Sequence, residues 1–567
     1  MALTSLIRSQ AAAALRHLRP PSSDGVAAAA LHSVSTLASA SKSPFRIATP
    51  VASKQLAADA AAASRLQRLP EGCLSGLGSS CLFSRLFHSG KNSSVSAFSN
   101  LDFDGAASGS RPHTLQNLVG GRWASARKTY DVINPLNGTV LAHAPHTQPD
   151  ELEPFIASLS RCSKSGLHNP LKAVNRYLLY GEICQRAAAL LHDQEVFSFF
   201  VSCIQMTMPK SKAQAEGEMR VLRAFFENFS GDNVRFCFRG SFVSGDHQGQ
   251  QSQSYRWPFG PVAIIAPFNF PLEIPVMQMM GALFAGNKPL VKAEAGQGLP
   301  LEQFIRFLHY CGMPLEDMDL ISARGPVVSQ LLEKSPVRLV QFTGSCEVAQ
   351  KLSHLMEGRV RIEDAGFNWK ILCGDVRQED VDYVAWQSDQ DAYALSGQKC
   401  SAQSLLLIHR NWVSAGFLDR IKALASRRSV DDLTISPLLS HTNEEIQRHI
   451  DALLNLEGAS LLFGGSSISG TAVPPAFGLY QPTAVRLPLQ LLLKDPAARV
   501  LATTEIFGPL QVNVTSNRAV WLLPLLISRR SSVNAAIVGV SERLSSGEIS
   551  APCRLEADGR RCRMWTC

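Results

Sequence analysis

Short apolar segments, each followed by a stretch with helical spacing, constrain this chain more than any other feature. "PVAIIAPFNF", "KPLVKA" and "VRLVQFTG" are bounded by Pro and Gly and too short for buried helices, so they read as strands. Strand and helix alternating in this way predicts an α/β domain built on a parallel sheet. A second block, from about Gln398 to Leu510, repeats the alternation with "SLLLIH" and "PTAVRL" as strands and reads as a second α/β domain. With 567 residues and a 45% hydrophobic fraction, the chain has enough material for two or three cores.

Ahead of the first α/β block, "NLVGGRWASARKTYDVINPLNGTVLAHAP" reads as two hairpins turning at Gly-Gly and Pro-Leu-Asn-Gly. Helical periodicity follows between Pro149 and Phe229, and a further hairpin is expected near 241–258. The first domain is placed at 114–397 and the second at 398–514. Residues 88–113, rich in Ser, Gly and Asn, read as a linker. Residues 1–87 are rich in Ala, Ser and Leu, with Arg8, Arg16 and Arg19 ahead of the first acidic residue, Asp24. This is transit-peptide composition, with the mitochondrial matrix as the expected destination. An N-terminal extension with no address is the plainer alternative.

The formal charge of +8 does not imply a nucleic-acid partner. Residues 1–87 carry +6 of it and residues 515–567 carry +4, so the stretch between them is at −2. The 13 cysteines show neither CxxC pairs nor ligand-like Cys/His spacing, which argues against a metal site and against a disulfide framework. No run of 18 uncharged apolar residues reads as a membrane span. A soluble enzyme with a small-molecule substrate is the expectation.

Five segments carry candidate chemistry. In "SGQKCSAQS" small neighbours leave the Cys400 sulfur approachable, and Lys399 beside it would favour the thiolate. Alone, a cysteine is more often a small buried hydrophobe. "APFNFP" offers the Asn269 amide as a donor to an oxyanion, against the plainer reading of a turn asparagine. "FTGSCEVAQKL" reads as strand, tight turn and helix, with Gly344 and Ser345 at a helix start suited to a pyrophosphate, or as an ordinary N-cap. "IEDAGF" places Glu363 where a carboxylate can face a cleft, and "TEIFGP" places Glu505 and Phe507 in a turn. Either glutamate alone would pass for a surface residue.

Taken together and in this order, the five segments resemble the aldehyde dehydrogenase superfamily over about Leu115 to Leu510. The resemblance implies the aldehyde dehydrogenase fold, with a Rossmann-like NAD-binding domain and an α/β catalytic domain. It implies Cys400 as nucleophile, Asn269 as oxyanion donor and Glu363 as the base that activates water. It implies Lys292 of "KPLVKAEA" on the adenosine ribose, Thr343, Gly344 and Ser345 as the nucleotide turn, and Glu505 with Phe507 on the nicotinamide ribose and ring. NAD is the implied cofactor, no metal is required, and a homo-oligomer is expected. "GQKCSA", "YRWPFGPVAI" and "SDQDAYALSGQKCSAQS" are similar to the plant-type mitochondrial delta-1-pyrroline-5-carboxylate dehydrogenase branch, also called glutamate semialdehyde dehydrogenase. There Ser401 contacts the substrate carboxylate, Phe268 lines the substrate pocket, and the pathway is proline catabolism.

Two small departures are Phe268, where many members have Trp, and "KAEA" in place of a Lys-Pro-rich run. A larger one follows "EIFGPLQVNVT", where the pattern stops. The Arg-, Ser- and Cys-rich tail over 515–567 predicts a catalytic domain whose C-terminal strands are missing, as an out-of-frame or alternatively spliced exon, or an erroneous gene model, would produce. The alternatives carried from the sequence are therefore a dehydrogenase for another semialdehyde and a truncated, non-catalytic isoform modulating full-length subunits.

Overall fold

The computed structural model describes residues 94–167, 174–364 and 366–517, together with the strands at 535–538 and 565–566. All of them belong to the compact unit that begins at Lys91, and the transit segment expected over 1–87 lies outside the described residues.

The described part of 88–113 is not a linker. Val95–Ala97 form a 3-10 turn, and Phe103–Ser108 a short helix, α1, capped by the Asp102 carboxylate on the Gly105 N–H. Phe98 packs against Phe199, Phe200 and Phe307 with ring centroids 5.3 to 5.9 Å apart. One aromatic anchor outweighs the polar composition around it, because ring burial offsets the entropy of ordering a short segment.

The two expected hairpins form but part company. Strands β1 (His113–Thr114), β2 (Asn117–Val119), β3 (Arg122–Ala124), β4 (Thr129–Ile133) and β5 (Val140–Pro145) follow one another. The β2–β3 hairpin extends the first large sheet, whereas β4 and β5 join β1 in a small three-stranded one. Next come α2 (Glu153–Ser160), α3 (Val174–Leu190), α4 (Gln194–Thr207) and α5 (Lys212–Asn228). Val196, Phe200 and Ile204 of α4 recur at helical spacing and share a core with Met219, Leu222 and Phe226 of α5. The hairpin expected near 241–258 is β6 (Ser241–Ser244) with β7 (Gln251–Ser254).

Regular alternation then sets in: β8 (Pro261–Ile265), α6 (Glu273–Phe284), β9 (Lys288–Lys292), α7 (Gly298–Tyr310), β10 (Asp319–Ile321), α8 (Gly325–Lys334), β11 (Val340–Gly344), α9 (Cys346–Leu355) and β12 (Val360–Asp364). The sheet order is β12-β11-β8-β9-β10-β2-β3, with β8 to β12 parallel. Every residue of β8 is buried, as helices on both faces require. The chain steps from β8 outward to β10 and then returns to the other flank of β8 with β11. A crevice therefore opens at the carboxyl ends of β8 and β11, where such sheets bind ligands.

The second sheet begins earlier than residue 398. Its first strand is β13 (Asn368–Leu372), followed by α10 (Val381–Tyr393), β14 (Gln403–His409), α11 (Arg410–Ser414), α12 (Phe417–Ala425) and α13 (Asn443–Leu454). Then come β15 (Ser460–Phe463), β16 (Thr483–Pro488), α14 (Leu489–Lys494), α15 (Pro496–Ala502) and β17 (Leu510–Ser516). The domain boundary expected at 397/398 thus moves to the β12–β13 connection. Polar Asn368 and Lys370, both buried, disguise β13 in the sequence. Alternate residues of this sheet face opposite cores: Leu405, Leu407, Val512 and Val514 meet Ile446 and Ile450 of α13, and Leu372, Leu406 and Ile408 meet Val384 and Ala385 of α10.

The sequence predicts an unfilled edge after β17, and the structure differs. The tail contributes β18 (Ala535–Val538), parallel to β13 with Trp369 opposite Ala535, and β19 (Trp565–Thr566), antiparallel to β18. The sheet order is β15-β16-β17-β14-β13-β18-β19. A short apolar, β-branched run pairs with the backbone groups that β13 would otherwise leave bare.

Candidate active site

The carboxyl end of the first sheet meets two loops of the second. Carboxyl ends of β8, β9, β11 and β12 bring Asn269, Lys292, Thr343 and Glu363 to one side, and the loops entering β14 and β17 bring Cys400 and Phe507 to the other. Three interactions close the distance. The Asn269 side-chain Nδ2 donates to the Gln398 carbonyl at 3.0 Å, the Phe268 and Phe507 rings meet edge to face at 5.8 Å, and the Glu363 carboxylate lies near enough to the Cys400 thiol to raise its pKa.

The loop before Cys400 is bent by three consecutive left-handed residues, Leu395, Ser396 and Gly397, at φ of 56°, 51° and 73°. Two of these are not glycine, and such strain persists only where the surroundings hold it. Ser396 Oγ accepts from the Ser436 N–H at 2.8 Å, and Gln398 Nε2 donates to the Pro437 carbonyl at 3.0 Å. At Gly397 a Cβ would lie 2.1 Å from the Gly508 carbonyl oxygen, so the loops carrying Cys400 and Phe507 touch through a position only glycine fits. Asn368 Nδ2 ties the carbonyls of Cys400 and Ala402, at 2.6 and 3.0 Å.

Cys400 is half-buried, and its thiol is pushed up to about 12. Burial is the largest cause, followed by the hydrogen bond to Glu363 and by that carboxylate's charge. Lys399 acts in the opposite direction, more weakly. Lys399 favours the thiolate, as its place in the sequence predicts, but burial and Glu363 outweigh it and the thiol is the favoured form. Ser401 follows, half-buried. Asn269 is buried, and its amide nitrogen carries a second hydrogen that no described residue accepts.

The remaining candidates stand at the crevice. Lys292 ends β9, and burial lowers its pKa against the opposing pull of Glu294. No described side chain or carbonyl accepts from its ammonium, so a ligand's hydroxyls there would satisfy a group already largely removed from water. Thr343 and Gly344 end β11, with the Thr343 hydroxyl 3.1 Å from Gln278 Nε2, and Ser345 is the N-cap of α9. The exposed N–H groups of the α9 start suit a pyrophosphate. Glu505 lies two residues before Phe507 in the turn ahead of β17, where Phe507 has a left-handed φ of 46°. These residues fit a nicotinamide dinucleotide. Asn368, Gln398 and Glu273 were not legible as site residues. Glu273, in the first turn of α6, has its carboxyl pushed up to about 7 by burial and by Glu218.

Residues 123–518 match the aldehyde dehydrogenase family. The chain belongs to that family. This aldehyde dehydrogenase is 48% identical over 405 residues to the mitochondrial delta-1-pyrroline-5-carboxylate dehydrogenase 12A1 of Arabidopsis thaliana, covering 71% of this chain and 72% of the relative. It is 47% identical over 433 residues to a probable aldehyde dehydrogenase of Linum usitatissimum, covering 76% and 78%. Among solved structures, the methylmalonate-semialdehyde dehydrogenase of Oceanimonas doudoroffii superposes with a TM-score of 0.63 at 19% identity, over 75% of this chain and 85% of that one. An NAD-dependent aldehyde dehydrogenase from Sinorhizobium meliloti gives 0.62 at 21%, over 75% and 82%. At such identities the superpositions establish the shared fold. Among the described residues of this aldehyde dehydrogenase, no helix is long and apolar enough to cross a membrane, and no cluster of His, Cys, Asp or Glu could hold a metal.

Proposed function

We propose that this aldehyde dehydrogenase oxidises L-glutamate γ-semialdehyde, the open form of 1-pyrroline-5-carboxylate, to L-glutamate in the mitochondrial matrix, using NAD. The observation that carries the chemistry is the Cys400–Glu363 pair beside the half-free Asn269 amide. The relative at 48% identity supports the substrate. Glu294 beside Lys292 supports NAD, because a carboxylate there would repel the extra phosphate of NADP.

Glu363 takes the thiol proton as Cys400 sulfur adds to the aldehyde carbon, and the new oxyanion accepts from the Asn269 amide and the Cys400 backbone N–H. Lys292, the α9 start, Glu505 and Phe507 would hold a nicotinamide dinucleotide, which when bound would supply the hydride acceptor for oxidation of the Cys400 adduct to the thioester. Glu363, once it has released that proton to solvent, deprotonates the water that attacks the thioester carbonyl; Cys400 sulfur leaves, takes the proton back from Glu363, and glutamate is released. Ser401 hydrogen-bonds the substrate carboxylate, and Phe268 walls the pocket.

Purified full-length chain with glutamate semialdehyde and NAD is expected to produce NADH, and Cys400→Ala to abolish it. Higher kcat/KM for succinate semialdehyde would move the substrate assignment, and an unchanged rate in Cys400→Ala would end it. A second reading, a non-catalytic subunit that associates with full-length homologous subunits, is favoured by the end of the family match at residue 518. Silence alone together with altered turnover of a full-length relative on mixing would select it.

A further inference from the structure

Two charged side chains outside the reacting groups are among the most deeply buried in the protein. Lys210 lies between α4 and α5, Glu218 lies within α5, and their side chains are 1% and 0% exposed. Lys210 Nζ donates to Glu218 Oε2 at 2.9 Å and to the backbone carbonyl of Asn269 at 2.8 Å, and sits 4.5 Å from the Phe270 ring centroid. The other carboxylate oxygen, Glu218 Oε1, accepts from the N–H groups of Leu272 and Glu273 at 2.8 and 2.9 Å. The pair thus grips one five-residue turn at both ends, and that turn carries Asn269.

A buried ion pair is a poor source of stability, since desolvation offsets much of the attraction and apolar residues of similar volume often serve as well. Here its bonds fall on backbone groups around one amide. Glu218 also satisfies two of the orphan N–H groups at the start of α6, which fixes the direction in which the turn enters the helix. With its carbonyl held by Lys210 and its side chain by the Gln398 carbonyl, Asn269 is fixed from two domains.

We propose that Lys210 and Glu218 are positioning residues that aim the Asn269 amide at the oxyanion formed on Cys400. The inference rests on the reading of Asn269 as oxyanion donor. Preorganised donors lose effect steeply with misplacement, so loosening this turn acts on the chemical step rather than on binding.

Two variants of the full chain test it: Glu218→Gln, which keeps the shape, and Lys210→Met with Glu218→Leu, which leaves no unpaired buried charge. Hydrolysis of p-nitrophenyl acetate uses Cys400 and Asn269 without cofactor or semialdehyde, so it reads positioning whatever the natural aldehyde is. Both variants are expected to lower kcat roughly 10- to 100-fold with KM within about twofold. In an Asn269→Ala background they are expected to lower it no further, because they act through the missing amide. An additive loss in that background, or a loss confined to KM or to the melting temperature, overturns the proposal. If the wild-type chain hydrolyses the ester but oxidises no semialdehyde, the substrate reading fails and the positioning test stands. If it does neither, crystal structures of wild type and variant decide: an Asn269 amide still 3.0 Å from the Gln398 carbonyl in the variant overturns the proposal, and a displaced one supports it.

Discussion

Burial and the neighbouring carboxylate keep Cys400 protonated at neutral pH, which gives its reactivity a definite pH dependence. With the thiol pushed up to about 12, the thiolate is a small fraction at pH 7 and grows about tenfold per pH unit. Alkylation by iodoacetamide in the absence of substrate is therefore expected to rise across pH 7 to 10 without a plateau. In Glu363→Gln the negative charge that favours the protonated thiol is gone, so the midpoint moves down and alkylation at about pH 8 quickens, even as aldehyde turnover falls. Slower alkylation in Glu363→Gln would show that the cause is wrongly assigned. Cys400, Glu363 and Asn269 stood out as candidates only together, because the short motifs that carry them arrive in one family's order; each alone has a plainer reading. Lys210 and Glu218 did not: Lys210 reaches Asn269 across 59 positions and Glu218 reaches Leu272 across 54. Nothing local marks them, and the same two residue types on a helical stretch read as an ordinary surface pair.

At the scale of elements, the loop into β14 does the placing. Its three left-handed residues turn the chain so that Cys400 emerges opposite β12, and Gly397 lets this loop lie directly on the one that enters β17. Gly397→Ala adds a methyl group 2.1 Å from a backbone oxygen at a φ of 73°. Strain and overpacking together predict a loss of about 2–5 kcal/mol in urea denaturation, with turnover falling as Cys400 and Phe507 separate. A variant as stable and active as the parent would show that the two loops are not in contact. The alternation of β8 to β12 with their helices was plain in the sequence because fully buried parallel strands are uninterrupted apolar runs. Strand β13 was missed because Asn368 and Lys370 break the run, and both are buried through partners that only the fold supplies: the Cys400 carbonyl for one, Asp391 at 2.6 Å for the other.

At the scale of the whole molecule, the candidate site depends on the carboxyl end of the first sheet meeting the loops that enter β14 and β17 of the second, and the second sheet needs its β13 edge covered. Removing residues 518–567 strips β18 and β19 and leaves the edge of β13 away from β14 unpaired. The truncated chain is expected to melt at lower temperature and to associate in a concentration-dependent way by light scattering. A monodisperse truncation with an unchanged melt would show that the tail adds nothing to the sheet. The sequence by itself determined the two α/β blocks and the family, and it singled out Cys400, Asn269 and Glu363 as candidates, since apolar periodicity and short motifs are local properties of a chain. Tertiary structure alone decided which carboxylate acts on Cys400, that the resting group is a thiol rather than a thiolate, where the domains divide, and what holds Asn269. These rest on burial and on contacts between residues far apart in sequence, and neither exists until the chain has folded.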